Sequence, residues 1–253
     1  MSEKPLFEYI KNYGFGSKTG VDIIGESSGI VFNVDSVGPV ELATTSFGQT
    51  ISVTALQSAV MYSAIANGGR IMQPYVVKEI RSESGTLISQ TTPTVKKQVI
   101  SEETASKILS ALYDTVDKGT GKAAKVSGYT VAGKTGTTND VKDVWFIGFS
   151  KNLIAGIYLG YDTPKPLGRG AGSHMAARVF ADFMRVALAN EKNQPFAVPD
   201  GMTFMRVNRR SGASAAEDPS GTIIQEAFKP GQRPNPAPKK QQVGRAAVVG
   251  GVF

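Results

Sequence analysis

Apolar positions along this chain fall into helix-period stripes separated by short runs with strand-like alternation. Ala105, Ile108, Leu109, Leu112 and Val116 stand at i, i+3, i+4, i+7 and i+11, which marks one buried face of a helix over 102–117. Ser101 can cap it, and Glu102 and Glu103 suit its positive end. A second helix is expected over 54–67. Leu56, Val60, Ser63, Ala64 and Asn67 share a face, Thr54 and Gln57 have capping-box spacing, and Gly68 is placed to end it. A third, over 174–189, carries Ala176, Val179, Phe180, Phe183, Met184 and Ala187 as its stripe.

Between the last two helices the period changes from helix to strand. Residues 126–132 are β-branched or aromatic at alternate positions and read as a strand leading into Gly133-Lys134-Thr135-Gly136-Thr137. Thr138-Asn139-Asp140 supplies turn residues, and two further strands are expected at 144–149 and 154–161. Earlier in the chain, 72–81 and the run through Ile88 read as a β-hairpin beneath the helix at 54–67. The Gly-rich first forty residues suggest a short helix at 6–12 and a brief strand at 21–24; 41–45 is open between helix and extended chain. After a linker at 195–199 a strand fits 202–207. From 208 to 253 the composition turns to Ser, Gly, Pro, Lys and Gln, which predicts a mostly disordered basic tail and a domain boundary at 207.

Composition narrows the chemistry. There is no cysteine, which removes disulfides, thiolate metal sites and a Cys nucleophile, and the single histidine, His174, removes clustered imidazole ligands. His174 opens a helix with no acidic partner in view, which suits a surface or capping role. No cofactor or metal is expected. The net charge of +7 owes much to Lys229, Arg233, Lys239, Lys240 and Arg245. No aromatic residues interleave these charges, so a nucleic-acid partner is not expected. No apolar run of export or membrane-spanning length is present, and the chain by itself is expected to stay in the cytoplasm.

The segment with most chemical content is Lys134-Thr135-Gly136-Thr137. It offers a fixed cation, two hydroxyls and, at Gly136, a backbone that another peptide can approach closely. Those parts suit a peptide that ends in a carboxylate. The same residues complete G-x-x-x-x-G-K-[ST] from Gly128 to Thr135, the pattern of a phosphate-cradling loop. That loop needs small inner residues and a helix starting at the lysine; here the inner residues are bulky and Gly136-Thr137-Thr138-Asn139 follows. A G-x-G-x-x-A pattern from Gly119 to Ala124 lacks the preceding strand a dinucleotide site requires.

Three motif groups, in order, lead up to this K-T-G and resemble the penicillin-binding transpeptidases. They are Tyr13-Gly14-Phe15-Gly16-Ser17-Lys18-Thr19-Gly20-Val21-Asp22 with Gly25-Glu26, then Ser46-Phe47-Gly48-Gln49 with Val53-Thr54-Ala55-Leu56-Gln57, then Ala66-Asn67-Gly68-Gly69. The resemblance implies an α+β fold of the β-lactamase/transpeptidase type, an antiparallel sheet flanked by helices and incomplete on its N-terminal side. It implies an acyl-serine D,D-transpeptidase that cross-links peptidoglycan stem peptides and binds β-lactams on the outer face of the cytoplasmic membrane. Lys134 would be the cationic anchor, Thr135 and Thr137 hydroxyl donors, and Gly136 the point of clearance.

The resemblance also exposes a gap. No serine in the chain is followed three residues later by lysine, so the S-x-x-K nucleophile is not represented and no catalytic residue is assigned. The one S-x-N, Ser150-Lys151-Asn152, follows the K-T-G and falls in a turn between strands, where it reads as coincidence. Both missing motifs are expected upstream of residue 1, which leaves the isolated chain a binder without acylating power. A non-catalytic binding or scaffold fragment of the same fold is the alternative. Motifs up to Gly133 resemble monofunctional class B enzymes. From Lys134 on, through Lys142-Asp143-Val144-Trp145-Phe146-Ile147-Gly148-Phe149 and Glu226-Ala227-Phe228-Lys229-Pro230-Gly231, they resemble bifunctional class A enzymes.

Overall fold

The computed structural model describes residues 3–215 and 222–236. They fall into two compact units, residues 1–200 and 201–253. The first opens with helix α1 (Glu3–Asn12), followed by a long Gly-rich loop and the short helix α2 (Pro39–Thr45), which settles the segment left open by the sequence. Helix α3 (Ala55–Ala66) starts as its capping box requires: the Thr54 hydroxyl accepts from the Gln57 amide and the Gln57 side chain accepts from the Thr54 amide.

Four short strands come next: β1 (Arg70–Met72), β2 (Glu79–Arg81), β3 (Leu87–Gln90) and β4 (Val95–Gln98). Here the expectation of a hairpin beneath α3 is corrected. β2 and β3 do pair with each other, but every residue of both is exposed; α3 packs on β1, and β1 pairs with β4. Among the described residues neither strand packs extensively against a helix, and the chain leading into β2 is tied to the Gly-rich loop. The Asp22 carboxylate accepts from the Val76 amide at 2.7 Å and the Val77 amide at 2.9 Å. The strand expected at 21–24 is likewise replaced by bends, since Gly20 and Gly25 on either side both adopt positive φ.

Helix α4 (Glu102–Asp117) leads to the central sheet of β5 (Ala132–Thr137), β6 (Val144–Phe149) and β7 (Ile154–Leu159), all antiparallel, and then to helix α5 (Ser173–Ala187). The strand expected over 126–132 is a correction: residues 126–131 are turn and irregular chain, and β5 begins at Ala132. Val126 and Val131 are buried there without a ladder, so these apolar side chains anchor a turn rather than mark a strand face. Helices cover both faces of the sheet. Val144 and Phe146 meet Ala176, Phe180 and Met184 of α5, while Ala132 and Phe149 meet Ile65 of α3 and Leu109 and Leu112 of α4. Two antiparallel strands, β8 (Thr203–Asn208) and β9 (Ile223–Phe228), form the second unit. Disorder from 208 onward is therefore corrected at β9, where Ala227 is fully buried; 216–221 and 237–253 lie outside the described residues.

Candidate functional site

β5 carries Lys134, Thr135, Gly136 and Thr137 along one side of its sheet. The strand order is β5-β6-β7, so among the described residues the outer flank of β5 has no neighbouring strand. Such an edge presents free amide and carbonyl groups to any extended chain that lies alongside. Register puts Lys134 opposite Ile147, Thr135 opposite Phe146 and Gly136 opposite Trp145. Lys134 shares a face with Ala132, which α3 and α4 bury, yet Lys134 itself is exposed.

Two glycines fix the position of this strand. Gly133 and Gly148 stand directly opposite each other on β5 and β6. A Cβ on Gly133 would lie 2.6 Å from the Phe146 ring, and one on Gly148 would lie 2.6 Å from that ring and 2.8 Å from the Phe180 ring. The pair makes a slot for the tilted Phe146 and Phe180 rings, whose centroids are 4.8 Å apart at an interplanar angle of 56°. Gly136 behaves differently. An added Cβ would come 3.2 Å from Cβ of Trp145, so the glycine relieves crowding within the sheet as well as leaving the strand bare.

The structure brings Lys134 and Thr135 together with a third residue that the sequence did not single out. The Lys134 ammonium donates to the Thr135 carbonyl at 2.8 Å and lies 3.5 Å from the Thr135 hydroxyl. The Thr135 hydroxyl is in turn 3.0 Å from the hydroxyl of Thr120. Thr120 sits in the Gly119-Thr120-Gly121 loop after α4; the two flanking glycines were its one sequence signal. Thr137 is exposed at the far end of the strand. The ammonium thus rests on a carbonyl of its own strand. An arriving carboxylate can replace that contact with a charge-assisted one, while the two hydroxyls supply further donors.

Other sequence patterns resolve on geometry. Lys134 to Thr137 is extended and no helix begins at the lysine, so the phosphate-loop arrangement is absent. Ser150-Lys151-Asn152 is a tight turn closed by Ser150 donating to the Leu153 carbonyl at 2.8 Å. His174 is exposed. The chain also holds a second Lys-Thr-Gly, Lys18-Thr19-Gly20. It is no strand edge: the Thr19 and Gly20 amides donate to the Glu26 carboxylate at 2.6 and 3.0 Å. The Thr19 hydroxyl, with these amides, holds the Glu26 carboxyl below its usual range. Among the described residues no group of three His, Asp or Glu side chains could hold a metal, and no helix is long and apolar enough to cross a membrane.

The family model for the penicillin binding protein transpeptidase domain matches residues 1–185. The chain belongs to this family. Stage V sporulation protein D of Bacillus subtilis is 44% identical over 202 residues, which is 74% of this chain and 31% of that protein. Penicillin-binding protein 1A of Rickettsia prowazekii is 37% identical over 203 residues, 71% of this chain and 25% of that one. These are class B and class A penicillin-binding proteins respectively, and matches of such length both run across residue 133, where the motif resemblance changes branch. Among solved structures, penicillin binding protein 3 of Mycobacterium tuberculosis complexed with aztreonam superposes with a TM-score of 0.65 at 30% identity, covering 77% of this chain and 48% of that one. Penicillin-Binding Protein 1A of Haemophilus influenzae has a TM-score of 0.70 over 94% of this chain and 38% of that one; at 24% identity it supports the fold alone. The α+β transpeptidase fold is thus established, while the chain spans about a quarter to a third of the curated relatives it matches.

Proposed function

We propose that this chain is the K-T-G-bearing portion of a peptidoglycan D,D-transpeptidase, and that the β5 edge receives the carboxylate end of a stem peptide or of the β-lactam that mimics it. The observation that carries the reading is the cluster of the Lys134 ammonium and the Thr135 and Thr120 hydroxyls on an unpaired strand edge. Lys134 anchors the carboxylate, Thr135 and Thr137 donate hydroxyl hydrogen bonds, and the bare strand at Gly136 lets the peptide lie alongside. The working site is on the cell-envelope side of the membrane, as for the family. The nucleophilic serine and its lysine are not part of these residues, so acylation needs an S-x-x-K segment in addition to this edge.

The experiment is labelling with fluorescent penicillin followed by gel analysis and mass spectrometry. The chain by itself forms no covalent adduct; an adduct mapped to one of its serines would overturn the assignment of roles. Magnesium-dependent ATP binding lost in Lys134→Ala would overturn the carboxylate reading in favour of a phosphate one.

A further inference from the structure

A second site lies in the first unit, between the end of α1, the loop at Lys18-Thr19, α3 and the β1–β4 pair. It is a cavity of about 230 Å³ whose apolar wall is formed by Val60, Ile71, Met72 and Pro74. Three cations ring it, Lys18, Lys96 and Lys97, and no carboxylate lines it. Of the nearby acids, Asp22 is tied to the Val76 and Val77 amides, and Glu26 accepts from the Thr19 and Gly20 amides while also attracting Lys18 from outside the cavity lining.

The way the lysines converge is the decisive feature. Successive residues of a strand point to opposite faces, so Lys96 and Lys97 should diverge. They do not, because β4 is bulged at this point. Ile71 pairs with Lys97 and Met72 with Val95, which leaves Lys96 without a partner on β1. A bulge re-aims the side chain it carries. Both ammonium groups consequently reach the same cavity, where Lys96 donates to the Thr19 carbonyl at 2.7 Å and Lys97 to the Asn12 side chain. Each ammonium has three N–H donors, so donors remain on both after these contacts. Lys18 approaches from a separate segment and makes no hydrogen bond among the described residues.

We propose that this cavity binds a small amphipathic anion, with its carboxylate or phosphate head among Lys18, Lys96 and Lys97 and its apolar body against Val60, Ile71, Met72 and Pro74. The site is separate from the K-T-G edge and independent of the function assigned there.

The test is calorimetric titration of the full chain with octanoate, octyl phosphate, inorganic phosphate and octylamine. Octanoate and octyl phosphate bind saturably, inorganic phosphate binds at least about tenfold more weakly, and octylamine does not bind. Lys18→Met, Lys96→Met and Lys97→Met each weaken octanoate roughly tenfold, whereas Lys122→Met, at an exposed lysine outside the cavity, leaves it unchanged. Melting curves establish that each variant is folded; Lys18→Met keeps the test decisive if loss of the Lys96 tie loosens the Thr19 loop. Whichever of octanoate and octyl phosphate binds more tightly identifies the head group. Absence of saturable octanoate binding, equal binding of octylamine, or wild-type affinity in folded Lys18→Met would overturn the proposal.

Discussion

At the scale of single residues, the K-T-G edge depends on side chains that are missing as much as on those present. Gly133 is required by the Phe146 ring, so Gly133→Ala forces a Cβ into space the ring occupies. Overpacking of this kind costs about 1–3 kcal/mol, and chemical denaturation should show a loss in that range. Gly136→Ala meets only Trp145 at 3.2 Å and should cost less. The sequence shows Gly133 as the first letter of a motif; its packing reason depends on a cross-strand partner that no local pattern reveals. Acidic residues of the Gly-rich loop carry a second prediction. Backbone amides of Val76 and Val77 hold the Asp22 carboxyl below its usual range, and the Thr19 hydroxyl does the same for Glu26. A depressed folded-state value contributes stability above the unfolded value of roughly 4, and that contribution is lost as pH falls through the folded one. Melting temperature should therefore fall on acidification below about pH 4, and Asp22→Asn should flatten part of that slope. An unchanged slope would mean that these hydrogen bonds are equally available in the unfolded chain.

Elements were legible where one local rule sufficed. The capping box at Thr54 and Gln57 and the apolar spacing of α4 and α5 located those helices within one or two residues, but on α5 only Ala176, Phe180 and Met184 of the expected stripe are buried, while Val179, Phe183 and Ala187 are exposed. The failures have a common cause. Val126 and Val131 belong to a run that reads as a strand but anchor a turn segment, and the apolar residues of β9 come in adjacent pairs rather than in alternation, so no strand period announces it without β8 beside it. Thr120 escaped notice because its role comes from a loop folding back on β5. Gln57 does more than its capping signature says. It is fully buried, and its amide nitrogen donates to the carbonyls of Ser17 and Ser28 at 2.8 Å each, tying the Gly-rich loop to α3. Thr54→Ala removes one cap and should cost about 1 kcal/mol. Gln57→Ala strands three backbone groups and should cost at least about 2 kcal/mol, read by denaturation; parity between the two variants would show that the loop ties are dispensable.

For the whole molecule, the family assignment and the central sheet between α5 and the α3–α4 pair agree, and the proposed site lies on β5, whose outer flank has no neighbouring strand among the described residues. The motif order made the family visible from sequence; the edge position of β5 did not follow from it by spacing, and required the sheet. The most direct test joins this chain to a segment carrying the S-x-x-K and S-x-N motifs implied for the penicillin-binding transpeptidases and measures the rate of acylation by fluorescent penicillin. Lys134→Ala in that protein should acylate about ten- to a hundredfold more slowly, the loss of one charge-assisted bond of roughly 1.5–3 kcal/mol. Because Lys134 is exposed, its stability should stay within about 0.5 kcal/mol of the parent. Equal acylation rates in two equally folded proteins would contradict the assignment of the β5 edge as the carboxylate site.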